Sequence, residues 1–303
     1  MSLELDLKES REHEMRVYLN SMKAMYENAL LQNGEIYDIA ANLTDDFTRI
    51  TSQAILEDPR IIKILRYAIA PSISQMKFGQ FFGLTSIDKY ENDRLRPRNT
   101  KHGNLSAIAD DIASFINDNL DQTRFIWPKE DISASERTLA IDYAKKWTCS
   151  IAADQNAQTR YRNWRKDQQE HAIASAIVEL GYTKSGFTGT VTKRTDINLG
   201  EYTQEVKVQG RTRQKADLVV RSKRNKKLVL IEAKAVGVEI DSTKRIKECC
   251  DKSNDWRSST YLDDPMIIAV IAGFFNITGI QNLQASGIQV VWEHRLTDLG
   301  EVL

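Results

Sequence analysis

Two apolar runs with charges set inside them constrain this chain more than any other feature. They are Ala216, Asp217, Leu218, Val219, Val220 and, later, Leu228 through Ala235, which holds Glu232, Ala233 and Lys234; fourteen residues separate Asp217 from Glu232. Runs this rich in Val, Leu and Ile on either side of the polar segment Ser222–Lys226 read as the two strands of a hairpin. Leu228 to Ile231 is apolar on both strand faces, the mark of a central strand covered from both sides. Charged groups are costly in such a strand unless they are paired or hold a metal.

Residues two apart in a strand share a face. Glu232 and Lys234 therefore project together, and the hairpin brings Asp217 beside Glu232. Two carboxylates and the Ala233 carbonyl suit Mg²⁺, a hard cation that takes oxygen ligands. Such an ion polarises a phosphodiester and acidifies a bound water, and an ammonium like that of Lys234 stabilises the charge that develops. An isolated Glu-x-Lys is more often a surface ion pair. The two-sided apolarity around Glu232 and the acid upstream shift the balance toward a metal-dependent phosphodiesterase site. A third acid is open to two readings. Glu170 lies three residues before Ile173 on the helical stripe Ile173, Ile177, Leu180, so it either completes the metal shell or begins the exposed flank.

Around these runs, residues 1 to about 180 show helical spacing, as in Ile61, Ile62, Leu65, Tyr67 and Ile69 before Pro71. Pro97 and Gly103 mark a loop with Arg94, Arg96, Arg98, Asn99 and Lys101. Ser133 and Glu136 form a capping-box pattern that opens a helix. A break is expected near Gln155, then a helix from about Arg160 that stops at Gly181. Beyond it come short runs, Gly189–Thr192 and Thr203–Val208, before the hairpin. A helix over Ser242–Arg257, a strand over Met266–Ala272, a helix over Ile277–Ala285 and a strand over Ile288–Trp292 complete the order. A mixed sheet flanked by helices, an α/β (α+β) fold, is the packing solution for that order. The expected division is a helical N-terminal region, 1–132, and a catalytic core, 133–303.

Composition excludes several classes. With 41% apolar and 28% charged residues the chain is not globally disordered. Its longest apolar run, Met266–Phe275, is half the length of a membrane span and reads as a core strand. The start has no cationic segment followed by an apolar one, so no secretory signal is expected. Cys149, Cys249 and Cys250 make no disulfide framework, which fits the cytoplasm. Four scattered histidines offer no metal cluster, and His294 beside Trp292 reads as structural. No phosphate-cradling Gly-x-x-x-x-Gly-Lys motif is present.

Net charge is zero, yet from Thr183 to Thr260 there are 18 Lys plus Arg against 10 Asp plus Glu. That local surplus points to a phosphate-binding surface. Lys193, Arg194, Lys207, Arg211, Arg213 and Lys215 precede Asp217, and Lys244, Arg245 and Lys247 follow Lys234. Of these, Arg211 and Arg213 beside the active strand are favoured over Lys226 and Lys227 in the turn.

The order of a helix with Glu170, a strand with Asp217, a strand with Glu232-x-Lys234, then helix and strand resembles the PD-(D/E)XK nuclease superfamily, with Ala216 where that pattern has proline. The segments Leu65–Ser74, Asp241–Ile246, Asp255–Arg257, Ala272–Phe275 and Val291–Arg295 are further similar to the XamI-like group of type II restriction endonucleases. The resemblance implies Mg²⁺-dependent cleavage of double-stranded DNA at a short, palindromic sequence by a homodimer, alongside a DNA methyltransferase of the same system. It implies Asp217 and Glu232 as metal ligands, Lys234 as the catalytic lysine and Glu170 as an accessory acid. A repair or structure-selective nuclease of the same chemistry, and a catalytically silent DNA-binding module, are the alternatives.

Overall fold

A computed structural model describes residues 2–84, 87–92, 105–128 and 132–303. The basic loop expected at Arg94 to Lys101, with Asn99, lies outside the described residues. Two compact units are present, Met1–Ser21 with Tyr161–Leu303, and Met22–Arg160. The boundary expected between 132 and 133 falls inside the second of these.

The unit Met22–Arg160 is helical. It takes most of α1 (Leu3–Leu43), then α2 (Ser52–Glu57), α3 (Ile61–Ala68), α4 (Gln75–Phe81), α5 (Ile87–Glu91), α6 (Leu105–Asn119) and the first part of α7 (Ala134–Glu179). Thr51 and Ser74 cap α2 and α4 by accepting from the N–H three residues on. Every residue of α3 is buried, including Lys63 and Arg66, so this helix is the axis around which the unit packs. The capping box at Ser133 is formed: Glu136 N–H donates to Ser133 Oγ at 3.3 Å and Ser133 N–H to Glu136 Oε2 at 2.9 Å.

No break occurs near Gln155. The two helices expected on either side of it are one helix of 46 residues. Its sequence contains neither Gly nor Pro, and the buried Ala152, Ala153 and Ala157 around Gln155 are strong helix formers.

The other unit is built on a mixed sheet. Its strands are β1 (Thr183–Lys184), β2 (Thr190–Val191), β3 (Glu201–Gln209), β4 (Arg213–Arg221), β5 (Leu228–Val236), β6 (Met266–Gly273) and β7 (Gln289–Trp292). Helix α8 (Glu239–Arg257) links β5 to β6, α9 (Ile277–Ala285) links β6 to β7, and α10 (Leu299–Val302) closes the chain. The order across the sheet is β1-β3-β4-β5-β6-β7, with β2 also on β3. β3, β4 and β5 run antiparallel, and β5, β6 and β7 parallel.

β5 is central, as its two-sided apolarity predicts. Leu228 and Leu230 pack with Ile246, Cys249 and Trp256 of α8, whereas Val229 and Ile231 pack with Ile173 and Ile177 of α7. The first turns of α1 belong to this unit through long-range contacts: Leu7 joins the α8 side of the core, Ser10 Oγ accepts from Gly273 N–H at 2.8 Å, and Glu14 pairs with Arg165 at 2.8 Å. Partners so distant in the chain have no local signature.

Candidate active site

Asp217 and Glu232 meet on adjacent strands, as the hairpin requires. The β4–β5 register runs Leu218 opposite Ile231, so continuing it sets Asp217 opposite Glu232. At that point regular alternation breaks. Ala216 packs on the α8 side with Val206 and Val208, while Leu218 and Tyr202 pack on the α7 side. Across β3 the facing residue is Glu205, whose φ of 52° lies in a region that side-chain-bearing residues rarely adopt. Local strain of this kind is characteristic of sites where side chains are re-aimed. Here Asp217 turns its carboxylate to β5 and accepts the Ala233 N–H at 2.8 Å.

Glu232 is completely buried. Its Oε2 is 2.6 Å from Lys234 Nζ, which also donates to Ala233 O at 3.2 Å and lies 3.7 Å from Asp217 Oδ2. Three oxygens from Asp217, Glu232 and the Ala233 main chain thus converge on one cationic point. Burial pushes the Glu232 carboxyl above its ordinary range against the pull of the neighbouring ammonium groups. Burial also opposes the Lys234 charge, but Glu232 and Asp217 outweigh it and hold that ammonium above the usual lysine value.

Glu170, on α7, is buried and not on an exposed flank. Its Oε1 meets Lys166 Nζ at 3.1 Å. Burial first, and the Asp217 charge second, push its carboxyl up. The structure therefore gathers Asp217, Glu232, Ala233, Lys234 and Glu170 in one place.

A further residue at this place was not anticipated. Lys252 of α8 donates to both Glu232 oxygens at 2.9 Å and to Lys215 O at 2.7 Å. Its position was readable in principle, since 252 is three residues after the buried Cys249 and four before the buried Trp256. A lysine on the inward stripe of a helix next to an acidic strand is the signal.

The basic residues fall into groups. Arg211 sits in the turn between β3 and β4, and Arg213 opens β4 with its Nε 3.0 Å from Gln209 Oε1. Lys215 pairs with Glu205 at 2.7 Å. Lys193 and Arg194 lie between β2 and β3, with Arg194 paired to Asp263 at 2.5 Å. Lys244 and Arg245 project from α8 and face Glu248 at 4.0 and 3.0 Å. Of the residues expected to contact DNA, Lys215 meets this site through its main-chain oxygen, which accepts from Lys252; Arg213, four residues before Asp217, is on the order of 13 Å from it along the chain.

His294, read from the sequence as structural, lies near two acids: one ligand atom each from Asp6, Glu9 and His294 lies within 4.8 Å of the others. Asp6 is already held by Arg295 at 2.7 Å, and His294 faces Glu9 at 3.4 Å. Burial, the leading influence, lowers the His294 pKa.

A buried acid pair and lysine on a β-hairpin, backed by helices, is an arrangement suited to metal-assisted hydrolysis. The family model for the XamI restriction endonuclease matches residues 45–292, and the chain belongs to that family. Its function is that of a restriction endonuclease, which acts on DNA. The chain is also 27% identical to the Type II restriction enzyme SalI of Streptomyces albus G over 274 residues, 84% of this chain and 82% of that enzyme. The crystal structure of a Vibrio cholerae protein aligns at 12% identity with a TM-score of 0.29, over 92% of this chain and 55% of that one, a likeness too weak to bear on the fold. Among the described residues no helix is long and apolar enough to cross a membrane.

Proposed function

We propose that the chain is a type II site-specific deoxyribonuclease that cuts double-stranded DNA at a short palindromic sequence with Mg²⁺, through a PD-(D/E)XK core. The observation that supports this most directly is the convergence of Asp217, Glu232 and the Ala233 carbonyl on one ammonium. Oxygen donors that hold one cation so closely are the donor set a hard divalent ion takes. When bound, such an ion supplies charge to the scissile phosphate and acidifies a water.

The chain's own groups perform the remaining roles. Asp217 and Glu232 bind and orient the cation, and the Ala233 carbonyl adds a neutral ligand. Lys234, adjacent to both acids, stabilises the charge that develops at phosphorus. Glu170 is the accessory acid. Arg211, Arg213 and Lys215 on one hairpin, with Lys193, Arg194, Lys244 and Arg245, neutralise DNA phosphates and set the strand's position. Target recognition and dimerisation are assigned to the helical N-terminal region, since two-fold symmetry would present two such sites to two strands of a palindrome. The cytoplasm and a companion DNA methyltransferase complete the assignment.

Digestion of unmethylated phage DNA by the purified protein tests this. Discrete fragments with Mg²⁺ and none with EDTA are expected. Asp217→Ala and Glu232→Ala should each reduce cleavage by roughly 10⁴-fold or more while DNA binding in Ca²⁺ persists. A smear, or a preference for branched DNA, would instead assign the site to a structure-selective nuclease. No cleavage with any divalent metal would refute the proposal.

A further inference from the structure

Two ammonium groups hold the Glu232 carboxylate, and they are not equivalent. Lys234 meets oxygens of Glu232, Ala233 and Asp217, all of them members of the set assigned to the cation. Lys252 comes from a different element, α8, and its three acceptors are both Glu232 oxygens and the Lys215 main-chain oxygen. Three acceptors match the three protons of an ammonium, and Lys215 O belongs to no candidate metal ligand. Its Nζ also lies 5.8 Å from the centre of the fully buried Trp256 ring, the range of a cation–π contact. Lys215 O and the Trp256 ring thus hold Lys252 through groups that a cation at Asp217 and Glu232 would leave untouched.

One turn further along α8, Asp255 Oδ1 accepts from Thr212 N–H at 2.9 Å and Thr212 Oγ1 at 3.1 Å. Thr212 lies between Arg211 and Arg213 in the basic β3–β4 turn. The turn is fitted closely to the helix: a Cβ added at Gly210 would stand 2.4 Å from the Asp255 carbonyl oxygen. The same helix therefore grips the acidic strand with one residue and the basic turn with another.

We propose that Lys252 is the positioning residue for Glu232, keeping that carboxylate aimed while Lys234 yields its place to the cation. With Asp255 it makes α8 a strut between the basic turn and the acidic strand. This rests on the assignment of Asp217 and Glu232 as metal ligands. Without Lys252, both buried Glu232 oxygens have one ammonium left to share, Lys234, and an incoming cation must then break a fuller pair. Lys252 thus governs the metal step, and Asp255 the grip on DNA.

The test measures Mn²⁺ binding to the full-length protein without DNA, by the paramagnetic resonance signal of free Mn²⁺. It is paired with cleavage kinetics in Mg²⁺. Lys252→Met should weaken Mn²⁺ binding about tenfold and lower kcat by about 10–100-fold, with KM for DNA within about twofold. Lys252→Arg, which keeps the charge and donors, should recover most of the Mn²⁺ affinity. Asp255→Asn should do the reverse, raising KM for DNA at unchanged Mn²⁺ affinity. Lys252→Gln, which retains a donor for Lys215 O, carries the same comparison if the Met variant does not fold. Mn²⁺ binding by Lys252→Met as tight as wild type or tighter, or no recovery with Arg, would overturn the role of Lys252. Wild-type Mn²⁺ binding by Glu232→Ala would instead remove the metal-site assignment beneath it.

Discussion

Each compact unit buries an ionic group, and the two groups are balanced differently. In the unit Met22–Arg160, the Arg66 guanidinium meets Glu91 through Nε at 2.5 Å and Nη2 at 3.1 Å, donates to Ile73 O at 2.5 Å, and shares Glu91 with Gln75 at 2.7 Å. One acid faces one base in a fork geometry that suits both. Burial works against the Arg66 charge, and Glu91 more than offsets it, so the guanidinium is held firmly protonated. In the other unit three acids, Asp217, Glu232 and Glu170, gather beside a strained strand, and two of them are pushed toward the protonated form. The first group is closed, and it ties α3 to α5. In the second, burial works against the carboxylates themselves, although Lys166, Lys234 and Lys252 face them.

Opening the closed group should have the larger effect on folding. Glu91→Ala leaves Arg66 buried without its acid and should cost about 3–5 kcal/mol of stability in urea denaturation. A loss below about 1 kcal/mol would erase the contrast, because Arg66 would then behave as a solvated surface charge.

Neutralising an acid in the other group should act in the opposite direction. The folded pKa of Glu170 lies above its unfolded value, so its charged form opposes folding above the folded pKa, and this opposition disappears as pH falls below the unfolded value. Glu170→Gln should therefore raise the melting temperature near neutral pH, and the gain should vanish in acid. Cleavage should fall by about 10–100-fold. A melting temperature that drops equally at both pH values would mark Glu170 as a structural partner of Lys166.

The smallest effect concerns the basic turn. Replacing Arg211 and Arg213 with Ala should lower the slope of log affinity against log salt by about one per residue, read by fluorescence anisotropy in Ca²⁺. An unchanged slope would move the phosphate contacts to Lys193, Arg194, Lys244 or Arg245.

Much of the sheet was legible. The runs Thr203–Val208, Ala216–Val220 and Met266–Ala272 each lie inside the strands β3, β4 and β6. The stripe Ile173, Ile177 carried Glu170 to a buried position because helical spacing alone decides which residues share a face; Leu180, expected on the same stripe, is exposed because α7 ends at Glu179. Helix α7 runs unbroken where its sequence suggests two helices, because Gln155 and its polar neighbours resemble an interruption whereas helix continuation needs only the absence of a breaker. The joining of Leu7, Ser10 and Glu14 to the sheet unit was not legible at all, since it depends on partners more than a hundred residues away.

The acids in their apolar runs were determined by the sequence itself. Period two puts Glu232 and Lys234 on one face and a short turn returns Asp217 to them, and both are local rules that hold before any core exists. Only the tertiary structure decided which cations answer those acids. How a helix is rotated and docked is set by everything it packs against. Lys252 therefore becomes a partner of Glu232 only once Cys249 and Trp256 have seated α8 on the sheet.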